Sequence, residues 1–219
     1  MRDKVRKFSN RIAIKKIRKD FSIGKFNDAG WRIAGDIRIE KYWSGELAPA
    51  GRHSSAKLLW SDTALYVSFE AIQTEPLIVS ESPNLKSKTI GLWDKDVCEI
   101  FIAPDRSEPR RYFEFEIAPT GEWLDLAIDF SSGKREIDQD YESGMQSSTK
   151  IEELQVVMAI KIEWKALGNT PQVGDIWLGN LFRCVGRDAD RGYLAWQPTQ
   201  SETPNFHVPQ KFGEFEFHE

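Results

Sequence analysis

The stretch YFEFEIAPTGEWLDLAIDF, residues 112–130, decides the fold class. Apolar and polar side chains alternate over residues 112–117 and again over residues 122–130, which is the period-two pattern of strands that bury one face. Between the two runs lies Pro119-Thr120-Gly121, a turn signal. The stretch therefore predicts a β-hairpin.

The same alternation recurs along the rest of the chain. It is clear in DVCEIFIA, residues 96–103. Further candidate strands are residues 12–17, 33–39, 56–60, 64–71, 154–163, 175–184 and 212–217. Helical periodicity is weak, and its best instance is one short turn around residues 164–167. Roughly ten short strands separated by turn residues predict an all-β protein, a single antiparallel β-sandwich with at most short helical turns.

Length and charge set the domain organisation. The chain has 219 residues, and no linker or repeat divides it. We therefore expect one sandwich domain over residues 20–219, preceded by a basic N-terminal arm over residues 1–19 that leads into the first strand. The arm carries nine basic side chains and one acid, a net +8; because the whole chain has a net charge of −4, the remaining 200 residues carry −12. A solvated end is the favoured interpretation of the arm, and contact with nucleic acid or anionic lipid is the alternative.

Composition excludes several classes of protein. Aromatic residues make up 12% of the chain, too many for a disordered segment. The isoelectric point near 5.6 argues against a nucleic-acid partner. The chain contains no run of about 18 apolar residues, so a transmembrane segment is not predicted. No apolar stretch follows the basic N-terminus, so a signal peptide is not predicted. Cys98 and Cys184 lie in apolar runs and are predicted to be buried thiols, with a single bridge between them as the alternative.

The candidate binding surface follows from the alternation. If the apolar faces of the strands form one core, a set of acidic and aromatic side chains lines the outside of one sheet: Glu99, Tyr112, Glu114, Glu116, Trp123 and Asp125, with Trp177 and Arg183 on the outer face of residues 175–184. Aromatic rings stack on the C–H faces of pyranoses, and charged groups bond their hydroxyls. Such a face suits sugar recognition; an ordinary solvated sheet face is the alternative.

Several sequence motifs resemble the carbohydrate-binding module family 9 and its wider sandwich superfamily. The resemblance extends over about residues 21–217. Its pieces are NDAGWRIA (27–34), LLWSDTALYV (58–67), WDKDVCEIFI (93–102), YFEFEIAPTG (112–121), GNLFR (179–183), WQPT (196–199) and NFHVPQKFG (205–213). It implies a sandwich domain that binds a mono- or oligosaccharide without cleaving it. The family also implies a secreted or periplasmic location.

The resemblance further implies site residues. Two Trp rings would clamp a terminal sugar; Trp93 matches one ring, and Trp196 is the candidate for the other. Glu99 matches a family carboxylate, and Asn180 and Arg183 match a late Asn/Arg strand, although alternation turns Asn180 toward the core. Arg111 and Glu114 complete the candidate sugar-binding set. No cofactor is required for such binding. Family members also hold structural calcium, for which the candidate loop acids are Asp62, Asp94, Asp96 and Asp105.

Two other functions remain as alternatives. Glu114 and Glu116 share one strand face, and Glu99 lies on a predicted neighbouring strand, so a pair of carboxylates could serve a glycoside hydrolase or another part of a carbohydrate-degrading system. Related sandwiches bind haem, which requires His or Met axial ligands. The chain offers His53, His207, His218, Met145 and Met158 for that role.

Overall fold

A computed structural model describes residues 10–219 and confirms the all-β fold class. The first nine residues of the predicted basic arm lie outside this range. The described residues form fourteen strands: β1 Arg11–Lys16, β2 Ile37–Ile39, β3 Lys41–Tyr42, β4 Ser54–Trp60, β5 Ala64–Ile72, β6 Val97–Ala103, β7 Arg111–Ile117, β8 Trp123–Asp129, β9 Glu136–Asp138, β10 Gln146–Ile151, β11 Gln155–Glu163, β12 Ile176–Val185, β13 Gly192–Ala195 and β14 Gly213–His218.

Helical structure is limited to short turns, as predicted. The α-helical turn α1 is Trp164–Leu167. Five 3-10 turns span Ala29–Ile33, Ala50–Arg52, Leu92–Asp94, Asp188–Asp190 and Pro209–Lys211. No helix among residues 10–219 combines the length and the apolar character needed to cross a membrane.

The strands form one continuous sheet that curls on itself. Its order is β10-β11-β5-β4-β1-β14-β12-β6-β7-β8-β9, while β2 pairs with β4, and β13 pairs with β12 and β3. Phe69 of β5 and Ile160 of β11 belong to the same buried cluster as Phe115 of β7 and Leu181 of β12. The two halves of the sheet therefore face each other across one apolar core.

The expectation of a purely antiparallel sandwich is wrong at β1. This strand pairs in parallel with β14, where Ile12 lies opposite Phe215, and in parallel with β4, where Lys15 lies opposite Leu59. Parallel neighbours require long connections. That condition is met here, because β14 is the last strand of the chain and residues 17–53 separate β1 from β4. Strand β1 thus joins the two halves of the sheet.

A second apolar layer covers the outer face of β6, β7, β8 and β12. It contains Phe101, Tyr112, Leu126 and Phe182, and Phe206 from the segment after β13 packs onto it. This layer overturns part of the predicted alternation. Residues paired across neighbouring strands share a face of the sheet. The observed strand pairing therefore puts the residues of β8 and β12 that were expected on the outer face onto the inner face.

Four side chains expected on the outer face point inward instead: Trp123, Asp125, Trp177 and Arg183. Trp123 lies opposite Ile117 and Asp125 opposite Phe115, so both share the core face of β7. Trp177 belongs to the central core, and Arg183 lies opposite the core residue Cys98. Both faces of β8 and β12 bury apolar side chains, so alternation identified the two faces but not which one points outward.

Both cysteines are free and buried, as predicted. The predicted hairpin is also confirmed, because β7 and β8 pair from Arg111–Asp129 to Ile117–Trp123. Its turn is closed by hydrogen bonds from the Ala118 N–H to the Glu122 carbonyl and from the Gly121 N–H to the Ala118 carbonyl, both 2.9 Å.

Candidate functional site

A pocket of about 390 Å³ opens on the outer face of β6, β7 and β12. Aromatic side chains, acids and a few basic groups line it: Trp93, Asp94, Glu99, Phe101, Glu114, Leu126, Arg135, Ile137, Cys184, Tyr193, Pro204, Asn205, Phe206 and His207. Concave sites that combine apolar walls with a few convergent polar groups are the usual form of small-molecule sites.

Trp93 is held at the edge of this pocket by the turn that contains it. The residue is the middle one of the 3-10 turn Leu92–Asp94, and the preceding Gly91 has φ = +83°, a left-handed conformation that glycine adopts without strain. Leu92 is buried and anchors the turn, whereas Trp93 leaves 40% of its surface exposed. A large aromatic side chain is thus presented to solvent from a fixed backbone.

Arg191 fixes the same segment from the neighbouring loop. Its Nη2 donates to the carbonyl of Trp93 at 2.5 Å and to that of Lys95 at 2.7 Å, and its Nη1 donates to the carbonyl of Gly186 at 2.6 Å. The guanidinium also lies over the ring of Tyr193, 5.6 Å from its centroid. One side chain therefore connects the two aromatic residues Trp93 and Tyr193.

Three carboxylates form a cluster beneath the pocket, and two of them, Glu99 and Glu114, line it. Glu99 of β6 is paired directly with Glu116 of β7, and Glu114 lies two residues before Glu116 on the same face. Their exposed fractions are 2%, 0% and 3% for Glu99, Glu116 and Glu114. The prediction that they line an open sheet face is therefore wrong: the second apolar layer and the segment that carries His207 bury them.

Burial controls the protonation of these groups. Burial and the nearby Glu114 raise the pKa of Glu99 to about 8, and burial raises the pKa of Glu114 to about 7. Burial, with Glu99 and Glu114 as neighbours, raises the pKa of Glu116 well above its usual value. The thiol of Cys184 donates to Oε1 of Glu99 at 3.4 Å. A carboxyl group that keeps its proton both donates and accepts hydrogen bonds.

His207 closes the other side of the pocket. Its Nδ1 lies 2.8 Å from the hydroxyl of Tyr112, and its Nε2 lies 3.9 Å from Oε2 of Glu114. Burial and the positive charge of Arg135 lower the pKa of His207 to about 3. The imidazole is therefore neutral at physiological pH and serves as a hydrogen-bonding group.

The structure brings together three of the predicted sugar-binding residues, Trp93, Glu99 and Glu114. Trp196 does not line this pocket. Its ring is half-buried against the central core, stacked on Phe215 with centroids 5.9 Å apart.

Asn180 and Arg183 are bonded within the protein. Asn180 lies on the pocket face of β12, opposite Phe101, and not toward the central core as predicted. Its amide donates to the carbonyl of Gln197 at 2.8 Å. Arg183 is buried on the inner face, where its guanidinium donates to the carbonyl of Arg52 at 2.8 Å and to Oε1 of Gln73 at 2.7 Å.

Arg111 lies on a different surface. It is exposed, forms ion pairs with Glu108 at 2.7 Å and Asp129 at 2.9 Å, and lines a separate open groove of about 670 Å³. Sequence reasoning missed Tyr193 and Arg135, which line the pocket. No local sequence signal marks Tyr193, because it reaches the pocket through the pairing of β13 with β12.

Three of the four loop acids considered for calcium have other partners, and the fourth, Asp94, lines the pocket. Asp62 pairs with Lys16 at 2.7 Å, Asp96 accepts from the backbone N–H groups of Ile78 and Gly186, and Asp105 accepts from Ser107. Within residues 10–219, the group of three or more His, Cys, Asp or Glu side chains with metal-ligand spacing is Glu99, Glu114 and Glu116.

The candidate haem ligands have other partners. His53 Nε2 lies 2.7 Å from the carbonyl of Ala48, and His218 lies 3.3 Å from Glu216. Met145 and Met158 are buried in the central core.

A curled mixed sheet around one core, with an aromatic and acidic pocket on its outer face, defines a sandwich-type ligand-binding domain. The chain belongs to the family described as carbohydrate family 9 binding domain-like, whose sequence model matches residues 23–219. This confirms the resemblance seen in the sequence.

Solved structures share the fold. A carbohydrate-binding module of family 9 from Caldicellulosiruptor kristjanssonii, in complex with cellotriose, is 18% identical with a TM-score of 0.68 over 95% of this chain and 93% of its own. Another structure of such a module from that organism, in complex with glucose, is 19% identical with a TM-score of 0.67 over 94% and 95%. A proposed carbohydrate-binding protein from Bacteroides uniformis is 16% identical with a TM-score of 0.70 over 95% and 99%. No curated protein sequence gives a significant match.

Proposed function

We propose that the pocket beside Trp93 binds the end of a sugar chain without cleaving it. The observation that carries the proposal is the exposed indole of Trp93 next to Glu99 and Glu114, in a pocket that fits a small ligand. The indole stacks on the apolar C–H face of a pyranose, and the two carboxyl groups at the base bond its hydroxyls. The proposed binding requires no cofactor.

Tyr193 is the better candidate for a second aromatic contact. It lines the pocket with Trp93, and its ring packs edge-on against Phe206, with centroids 6.0 Å apart. The ring of Trp196, the residue predicted for that role, stacks on the ring of Phe215 instead. We therefore propose a site of Trp93, Tyr193, Glu99 and Glu114.

Glucose and short glucans are the first ligands to test, because two structures of family 9 modules with this fold were solved with cellotriose and with glucose. Isothermal titration of the full chain with glucose and cellotriose should give saturable binding. Trp93→Ala should lose about 2 kcal/mol or more of binding free energy, as buried Trp contacts do when truncated.

Leu154→Ala is the matched control, because it also removes a large exposed apolar side chain but lies outside the pocket. Equal affinities of the wild type and Trp93→Ala would refute the assignment of the site. Reducing-sugar release during the same incubations distinguishes binding from hydrolysis, and release that disappears in Glu99→Gln would favour the hydrolase.

A further inference from the structure

The open groove that Arg111 lines has an excess of acidic side chains. It measures about 670 Å³ and lies where β7 begins, β8 ends and β9 begins, at one end of the sheet. Five acids and one basic residue line this acidic groove, a net charge of −4: Asp105, Glu108, Asp129, Glu136, Asp138 and Arg111.

Most of this negative charge is not neutralised by the rest of the domain. Arg111 pairs with two of the five acids, Glu108 at 2.7 Å and Asp129 at 2.9 Å. The other three accept hydrogen bonds from hydroxyl or backbone N–H groups, and within residues 10–219 none of them has a basic partner. Because a cleft lined by one sign of charge attracts the opposite sign, the acidic groove favours a cationic occupant.

The acidic groove also has an apolar lining. Pro104, Phe113, Ile137 and Leu167 contribute to it, and Ile137 leaves 38% of its surface exposed. A small inorganic cation would leave this apolar surface in contact with water. A peptide segment that combines basic and apolar side chains would match both parts of the lining.

The chain itself contains such a segment. Residues 1–9, MRDKVRKFS, carry four basic side chains and one acid, a net charge of +3. Val5 and Phe8 supply large apolar side chains between and after the basic ones. This part of the sequence therefore complements the acidic groove in both charge and polarity.

Residues 1–9 join the domain within reach of the acidic groove. Arg11 at the start of β1 lies opposite Glu214, Glu214 lies opposite Leu178, and Leu178 lies opposite Ala103 at the end of β6, next to β7. The four steps from β1 to β7 measure about 19 Å along the sheet, and nine residues can span up to about 30 Å. In addition, Arg106 from the loop that supplies Asp105 donates to Glu214 at 2.7 Å.

We propose that residues 1–9 bind the acidic groove of the same molecule. The basic side chains pair with the acids of the groove, and Val5 and Phe8 cover its apolar lining. Ile137 lines both the acidic groove and the pocket beside Trp93, so the bound segment supports the strand that forms one wall of that pocket. The contact does not depend on the proposed sugar binding.

Cross-linking of the full chain with a carbodiimide is the first test, because the reagent joins an amine to a carboxylate in direct contact. Lys4 or Lys7 should become linked to acids of the acidic groove, in molecules that keep the mass of one chain. The pair of Lys16 and Asp62, 2.7 Å apart, is the internal reference for the reaction. Added salt should reduce the cross-links of Lys4 and Lys7, since salt screens exposed charges.

A labelled peptide of sequence MRDKVRKFS measures the affinity of the acidic groove. Its host is the full chain with Arg2→Gln, Lys4→Gln, Arg6→Gln and Lys7→Gln, which keeps the length of the segment and removes its positive charge. Fluorescence anisotropy should show saturable binding to this host. Binding to the wild type should be weaker, because the chain's own segment competes for the groove.

Glu136→Gln with Asp138→Asn, introduced into that host, removes two charges from the acidic groove. Peptide binding should weaken by about five-fold or more, the combined effect of two exposed ion pairs. Glu46→Gln with Glu202→Gln is the matched control, because these two acids are also exposed but lie outside the groove.

Cross-links confined to dimers would assign the acidic groove to a second copy of the chain and overturn the proposal. An absence of cross-links to the groove, no saturable binding of the peptide, or an equal loss of affinity in the two double variants would also overturn it. None of these measurements uses a sugar, so their outcome leaves the sugar-binding proposal to its own titrations.

Discussion

Arg191 holds Trp93 by its backbone, with Nη2 of the guanidinium 2.5 Å from the Trp93 carbonyl oxygen. The same guanidinium covers the ring of Tyr193. Arg191 belongs to the polar loop that follows β12, whereas Trp93 precedes β6, so the contact joins two segments far apart in the sequence. The rigid guanidinium has several donors in one plane, which suits simultaneous bonds to three carbonyls. Arg191 is thus a positioning residue for the exposed indole.

Arg191→Lys should therefore weaken sugar binding. A lysine retains the charge but cannot bond all three carbonyls, and hydrogen bonds to charged groups are worth about 1.5–3 kcal/mol each. Because part of that energy fixes Trp93, we expect a loss of affinity of about ten-fold, equal to about 1.4 kcal/mol. Isothermal titration measures the affinity, and acrylamide quenching of Trp fluorescence should increase as the turn loosens.

Arg187→Lys serves as the control for that change, since Arg187 is exposed in the same loop and lies 3.9 Å from Asp188. An Arg191→Lys protein with unchanged affinity and unchanged quenching would show that Trp93 is held by its own turn.

The sequence indicated the strands better than their orientation. Alternation correctly placed Glu99 with Glu114 and Glu116 on one face, because β6 and β7 each have one clearly apolar face. It failed on β8 and β12, where Asp125 and Arg183 turned out to face the core. Local patterns cannot show that a second apolar layer covers the outside of the sheet, since residues such as Phe206 arrive from a distant segment.

The pocket residues also depend on contacts between segments that are distant in the sequence. Trp93 was recognisable from its motif, but its neighbour Tyr193 depends on β13 pairing with both β12 and β3. Trp196 has a loop-like sequence context, yet its backbone N–H bonds the carbonyl of Leu181 and its ring packs on Phe215. Exposure of a Trp ring is decided by tertiary packing.

The ring of Trp196 packs so closely on Gly213 that a larger side chain at this position has no free space. A Cβ at position 213 would lie 2.3 Å from Cη2 of Trp196 and 2.7 Å from the carbonyl oxygen of Asn10. Gly213→Ala should therefore destabilise the protein by about 1–3 kcal/mol, the usual cost of overpacking. Gly35→Ala is the control, because a Cβ there meets nothing within 4 Å. Urea unfolding measures both, and equal stabilities would mean that the Trp196 ring moves aside freely.

The ion pair between Lys88 and Asp125 should be important for stability. Lys88 Nζ lies 2.6 Å from Oδ1 of Asp125, which is fully buried on the core face of β8. Lys88→Met would leave that carboxylate without its charge partner, which typically costs about 3–5 kcal/mol. Lys150→Met is the control, since the pair of Lys150 with Glu152 is exposed. Chemical denaturation that gives similar losses for both variants would contradict this prediction.

Asp20 should make stability depend on acid pH. Burial opposes its ionisation, but hydrogen bonds from Ser61, Thr63 and Lys161 outweigh burial and lower the pKa of Asp20 from 3.8 to about 2. A carboxylate whose pKa is lower in the folded state stabilises that state above the unfolded pKa, and the stabilisation disappears as the pH falls toward the folded pKa. The wild type should therefore be more stable than Asp20→Asn at pH 6, with a difference that shrinks between pH 4 and pH 2. Thr63→Val removes one of the hydrogen bonds and should reduce that pH-dependent difference in the same range. Urea unfolding at each pH measures the difference, and a gap between the wild type and Asp20→Asn that stays constant from pH 6 to pH 2 would show that these bonds do not favour the ionised form.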